Sequence, residues 1–332
     1  MFRAVTADQL LDWRLVQYRV FHNADPPRLH QLWHLCQLGQ NAAEGFPCDL
    51  FELFAVSPVY FDREGLIVAE QAGRVIGFVH AGFAPNADQS GLDHTRGQIS
   101  ALMVHPQYRR RGVGSELVSR AEAYLRRCGS EVVEAGAGLD RNGFYCGIYG
   151  GLESSGFCAE VFPGQEFLGR LGYTQHARTL VLRRDLMQVR DPVSARLLRH
   201  RRSLSMVITD RNLNETWWWF SRFGHLDSLR FDLRTRGDEQ LVASAQIIGM
   251  DLFIPKWGVR SVGLRGMQVP EDSRRQGYGQ SLILEICRRL REESVQLIEA
   301  HVDHANAAAV EAFRSSGFEC RSELHTWQRS LS

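Results

Sequence analysis

The sequence is almost devoid of lysine: Lys256 stands alone among 39 lysines plus arginines. An arginine-favouring genome accounts for that bias without any functional reason. Excess charge of either sign is also missing, because 39 basic and 38 acidic side chains leave a net charge of +1. That balance argues against a general nucleic-acid binder working through a basic surface. No apolar run is long enough to cross a membrane, and the N-terminus carries no signal-peptide pattern. The seven cysteines, at 36, 48, 128, 146, 158, 287 and 320, are scattered and form no C-x-x-C pair. Free thiols in a reducing cytoplasm are the expectation. What remains, 44% hydrophobic and 23% charged, is ordinary for a folded globular chain. Its 332 residues are long for one core and comfortable for two.

One device is present twice. Arg109-Arg110-Arg111-Gly112-Val113-Gly114 and Arg274-Arg275-Gln276-Gly277-Tyr278-Gly279 share the pattern R-x-x-G-x-G, 165 positions apart. At that offset Val104 falls on Val269, Leu117 on Leu282, Leu125 on Leu290, and Glu134-Ala135 on Glu299-Ala300 without a gap. Such agreement indicates duplication. Each half reads as initial helices, a hairpin, a further strand, the loop, an amphipathic helix and another strand. The expected hairpins flank Gln71-Ala72-Gly73 and Thr235-Arg236-Gly237-Asp238. The strands before the loops are expected at Ile99 to Val104 and Val262 to Val269. The division predicted is 1–187 and 204–332, with an insertion at 142–166 and an arginine-rich, solvated linker between.

The loop chemistry follows from its residues. Glycines let the backbone turn tightly and approach a ligand closely. Free N–H groups at a helix start, with the positive end of the dipole, favour an anion. Arginines add charge-assisted hydrogen bonds to phosphate oxygens. No Gly-Lys-Ser/Thr follows, so a nucleotide-hydrolysing loop is disfavoured, and the spacing of a dinucleotide fold is absent.

V-x-P-x-x-R-R-x-G-x-G after a strand resembles the acyl-CoA signature of the GNAT-superfamily N-acetyltransferases. Asn306, Ala309, Phe313 and Gly317-Phe318 are similar to that family's closing segment, as are Asn142 and Phe167 to Tyr173 in the first half. The resemblance implies an α/β (α+β) fold of two GNAT-like domains, each a mixed, mostly antiparallel sheet flanked by helices. It implies that acetyl-CoA, or another acyl-CoA, is held by Leu102, Met103, Val104, Arg109 to Ser115 and Asn142. In the second half the counterparts are Met267, Gln268, Val269, Arg274, Arg275, Gln276, Gly277, Tyr278, Gly279, Gln280 and Asn306. The implied activity is direct acetyl transfer to a primary amine on a small molecule or a protein. The alternative is an acyl-CoA sensor or scaffold without transfer.

The family's usual tyrosine acid is replaced by Phe313 and Leu168, which donate no proton. Tyr149 lies seven residues after Asn142, as Phe313 lies seven after Asn306, and becomes the candidate acid, with Tyr145 behind it. An aromatic plug packed on the sheet is the competing reading. Glu134 and Glu299 are candidate bases, or simply strand carboxylates. His301, Asp303 and His304 do not share one face, so no metal is expected. The run Trp217-Trp218-Trp219-Phe220 reads as packing in the core or between domains rather than as a substrate platform. The first half, with the arginine-richer loop and the tyrosine insertion, is favoured as the working one.

Overall fold

A computed structural model describes residues 16–210 and 216–331. In the first half β1 (Gln17–Val20), α1 (Pro26–Leu35) and α2 (Cys48–Ala55) precede β2 (Leu66–Gln71) and β3 (Arg74–Pro85). Ala72 and Gly73, both at positive φ, make the tight turn that suits a twisted hairpin. Then come β4 (Leu92–Val104), α3 (Val113–Arg127), β5 (Val132–Ala135), β6 (Phe157–Cys158), α4 (Gly164–Phe167) and β7 (Thr174–Asp185). Alternation sets the layers: Leu66 and Val68 face α1 and α2, while Ile67 and Ala69 face α3. The apolar stripe of α3, with Leu117, Val118, Ala121 and Leu125, is buried as its periodicity predicts.

After α5 (Ala195–Ser203) the second half repeats the plan. It runs β8 (Leu204–Thr209), α6 (Trp217–Phe223), β9 (Ser228–Thr235), β10 (Leu241–Gly249), α7 (Ile254–Trp257) and β11 (Ser261–Gln268). It ends with α8 (Tyr278–Glu292), β12 (Leu297–Asp303), α9 (Ala307–Arg314) and β13 (Glu319–Ser330). In each half one strand pair is parallel, β4 with β5 and β11 with β12, because a helix crosses between them. The other described pairs are antiparallel.

The halves share one sheet, ordered β1-β2-β3-β4-β5-β13-β7-β12-β11-β10-β9-β8. The last strand of each half is exchanged. β13 pairs with β5 of the first half, and β7 pairs with β12 of the second. The two also pair with each other, so neither half closes its sheet alone. Nothing in the local pattern of either strand marks this exchange.

Two further expectations are corrected. β4 starts at Leu92, seven residues before the predicted strand, because polar Asp93, His94, Thr95 and Arg96 hide it. The segment taken for a solvated linker contains α5, capped by Ser194 and docked on α8 through buried Leu197 and a 2.7 Å bond from His200 Nδ1 to Ser281 Oγ. The insertion is packed inside, as the competing aromatic-plug reading has it: Phe144, Tyr145, Ile148 and Leu152 share a core with α1, α2 and with Phe223, Ile248 and Phe253 of the second half. The tryptophan run joins the same contact, Trp218 Nε1 donating to the Asp140 carbonyl at 2.8 Å.

Candidate active site

The two loops have one backbone. Arg110 and Arg275 take φ of 62° and 61°, and Gly112 and Gly277 take 84° and 85°. Glycine enters that last region at no steric cost and turns the chain into α3 and α8. Arg109 Nε donates to the Val104 carbonyl at 3.0 Å, and Arg274 Nε repeats the bond to Val269 at 3.3 Å. Arg109 also reaches the Cys36 carbonyl beyond α1, at 3.1 Å. These arginines brace the loop against its own strand. The amides of Val113, Gly114 and Ser115 begin α3 and have no carbonyl one turn earlier. A Cβ on Gly112 would meet nothing within 4 Å, so the space over those amides is open.

The cleft beside the loop is opened by a bulge. β4 follows β5 only from Arg96 to Ile99. Against β3, Ile99 pairs with Ala81 and Ala101 with His80, leaving Ser100 as the extra residue. The bulge bends the strand, and the edge from Ser100 to Val104 stands clear of β5. A cavity of about 640 Å3 runs along that edge. From the expected grip it is walled by Leu102, Met103, Val104, Arg109, Arg110, Gly112, Gly114 and Ser115. Trp33, Cys36 and Leu38 form another wall, and segment 157–171 lies opposite, with Phe167 packed on Gly114. Val113 is buried in the core, and Arg111 is not on the wall. A free strand edge offers alternating N–H and C=O groups to an extended amide arm. The loop end and strand edge thus suit the pyrophosphate and pantetheine of an acyl-CoA.

Tyr149 and Tyr145 both reach this cavity. The Tyr149 hydroxyl oxygen accepts a bond from the Cys158 amide at 3.1 Å, which leaves its own proton free to donate. Burial raises its phenol above the ordinary value, so it keeps that proton at neutral pH. Tyr145 hydroxyl lies 3.0 Å from His80 Nδ1. His80 is wholly buried between rings, and burial lowers it to about 3, so it is neutral. Cys36 is pushed up to about 11 by burial, against the pull of Arg109, and is no ready nucleophile.

The two candidate bases stand elsewhere. Glu134 is buried and bound by Arg96 Nη2 at 2.5 Å and Arg141 Nε at 3.2 Å, off the cavity wall. Glu299 is buried beneath Leu152, taking its amide at 2.7 Å, Arg183 Nε at 2.7 Å and His301 Nε2 at 3.1 Å. Burial alone would raise the Glu299 carboxyl, but the His301 bond and Arg183 outweigh it. Asn142 spends its amide on Ser154 and on Phe144 N inside the insertion, while Asn306 caps α9 through Ala309 N. Neither lies on the cavity wall.

In the second half the insertion packs on the strand that leads to the loop. β11 also shifts register against its neighbour, but after Arg265, at Gly266 and Met267; by the 165-residue offset Arg265 stands where the first half has Ser100. Arg265 and Arg222 clasp Glu153 of the insertion at 3.2 and 3.0 Å, and both also meet Asp140. Burial would raise the Glu153 carboxyl, yet the two arginines hold it well below the usual range. Leu152 packs on Gly263, where any Cβ would overlap it. The edge from Met267 to Val269 and the loop from Arg274 to Gln280 do not line the first cavity. Sequence reasoning missed Ser100, Trp33 and the packing of Leu152 on Gly263. The paired Gly150-Gly151 was the one local sign of a tight approach.

A bulged strand, a glycine loop on a helix start and a splayed parallel pair define an acyltransferase of mixed α/β architecture. The chain belongs to the acetyltransferase (GNAT) family, which matches residues 8–148 and 207–318. An acetyltransferase of Sodalis glossinidius is 32% identical over 110 residues, 33% of this chain and 67% of that protein. An uncharacterized N-acetyltransferase of Methanocaldococcus jannaschii is 29% identical over 84 residues, 25% of this chain and 35% of that one. Among solved structures, a tandem GNAT protein from the clavulanic acid biosynthesis pathway superposes with a TM-score of 0.63 at 15% identity, covering 96% of this chain and 99% of that one. A GCN5-related N-acetyltransferase from Sphaerobacter thermophilus gives 0.62 at 13%, over 95% and 96%. At such identities the likeness is one of fold.

Proposed function

We propose that this chain is an acetyl-CoA-dependent N-acetyltransferase that acts by direct transfer on a primary amine, with one working site, in the first half. The observation that carries this reading is the cavity that joins the Gly112 to Ser115 loop to Tyr149. Acetyl-CoA supplies the activated acyl group. The amides from Val113 to Ser115 and the side chain of Arg110 hold its pyrophosphate, and the edge from Leu102 to Val104 orients its amide arm. Tyr149 protonates the departing sulfur. Glu134 and Glu299 serve structure, because arginines occupy both.

The second-half loop keeps the same backbone and, in this reading, transfers nothing, because Leu152 and the Glu153 ion pairs pack on the strand that leads to it. The alternative is an acyl-CoA sensor or scaffold in which one or both halves bind without transfer. The units proposed are 1–187 and 204–332, each finished by the other's last strand. Seven unpaired cysteines support a reducing compartment such as the cytoplasm. No helix among the described residues is long and apolar enough to cross a membrane. Calorimetric titration with acetyl-CoA, followed by thiol release across an amine panel, tests the proposal. One equivalent bound and amine-dependent release are expected; binding without release on any amine would leave a sensor.

A further inference from the structure

Resting on that reading, we infer that the acceptor of the first-half site is an arylamine: a neutral amino group borne on an aromatic ring. Much of the cavity wall is built from rings. Trp33 stacks on Tyr145 at 5.9 Å and meets Tyr149 edge-on at 6.2 Å, and Phe157 and Phe162, also on the wall, pack on each other at 4.6 Å. The charged wall residues, Arg109, Arg110, Glu166 and Arg170, belong to the loop and to the segment packed on it, and Glu166 already faces Arg110 at 3.6 Å. Among the described residues, no other carboxylate lines the cavity.

An alkylammonium placed among those rings loses its hydration and finds no counter-ion. It also finds no base to remove its proton, since Glu134 and Glu299 are held by arginines outside the wall. An arylamine meets neither obstacle, because its nitrogen is unprotonated at neutral pH and its ring matches the wall. One polar group is left for it. Ser100 lines the cavity at the bulge, and its buried hydroxyl has no protein partner. It can accept a hydrogen from the amine and aim the lone pair at the thioester.

The step balances without an external base. The nitrogen lone pair forms the new N–C bond, and the C–S bonding pair leaves with sulfur. Tyr149 gives its proton to that sulfur. The proton released by the acylated nitrogen then returns to the Tyr149 oxygen, so the products are an amide and a free thiol.

Aniline and 2-phenylethylamine carry the same ring and differ in basicity, which makes them the test pair. With the full chain and acetyl-CoA, kcat/KM for aniline is expected to exceed that for 2-phenylethylamine by at least about tenfold near pH 7. It should also be flat from about pH 6 to 8, while the alkylamine value climbs with pH. Faster turnover of 2-phenylethylamine or spermidine at pH 7 overturns the assignment. So does acetyl-CoA binding with no arylamine acetylated. A chain that fails to bind acetyl-CoA at all refutes the cofactor reading itself. Ser100→Ala should raise the aniline KM about tenfold with acetyl-CoA affinity unchanged; an unchanged KM overturns the placement of the amine at Ser100.

Discussion

Replacing Tyr149 by phenylalanine separates its chemical role from its packing. The ring stays against Trp33, and the change deletes one oxygen. Two costs follow. The Cys158 amide loses its acceptor, and an unmet backbone donor in this site costs about 1–3 kcal/mol. In a chain of this size that lowers Tm by roughly 2–4 °C per kcal/mol, leaving the protein folded at 25 °C. The chemical cost is larger, because removing a positioned acid lowers kcat by about 10²–10⁴-fold. Acetyl-CoA affinity should hold, since the loop amides and strand edge are untouched. Steady-state thiol release with the best amine, beside a calorimetric Kd, measures both. The pH profile adds a sign. Burial raises the Tyr149 phenol above its ordinary 10.0, so the acid form persists as pH rises, and the wild-type rate should show no loss from this group up to about pH 10. A Tyr149→Phe enzyme within about threefold of wild type in kcat would refute the assignment of the acid.

Glu153→Ala removes one partner of a buried cluster and strands Arg222 and Arg265, so it should destabilise the chain by about 3–5 kcal/mol in urea melts. A loss under about 1 kcal/mol would mean that the network carries little of the contact between the halves. Gly112→Ala places a methyl group in open space at φ 84°, costing about 1–2 kcal/mol of strain. It should weaken acetyl-CoA binding, whereas Gly277→Ala should not change the stoichiometry of one; calorimetry reads both. His80 is depressed to about 3 from 6.5, so below pH 6.5 the unfolded chain takes up a proton that the folded chain refuses. Stability from this group is therefore complete above pH 6.5 and falls by about 1.4 kcal/mol per pH unit on acidification toward 3. Thermal melts from pH 7 to 5 should show the slope, and His80→Asn should flatten it.

Residues close together in the chain specify the local devices. R-x-x-G-x-G after an apolar strand fixes a left-handed glycine at a helix start, and the 165-residue register copies Gly112 onto Gly277 with φ within one degree. Periodicity sufficed for the α3 stripe, since a helix face depends on residues a few positions apart. Tyr149 was reachable by spacing from Asn142, although Asn142 itself is turned into the insertion. Tertiary structure decided what long-range pairing decides. A strand's partner across a sheet leaves no periodic mark, so the exchange of β7 and β13 was invisible. The clasping of Glu134 and Glu299 by arginines depends on side chains brought from distant segments, which spacing cannot report. The proposal that the two grips differ in task rests on the same kind of fact: Ser100 lines a cavity in one half, and Arg265, at the same repeat position, is clasped by the other half's Glu153.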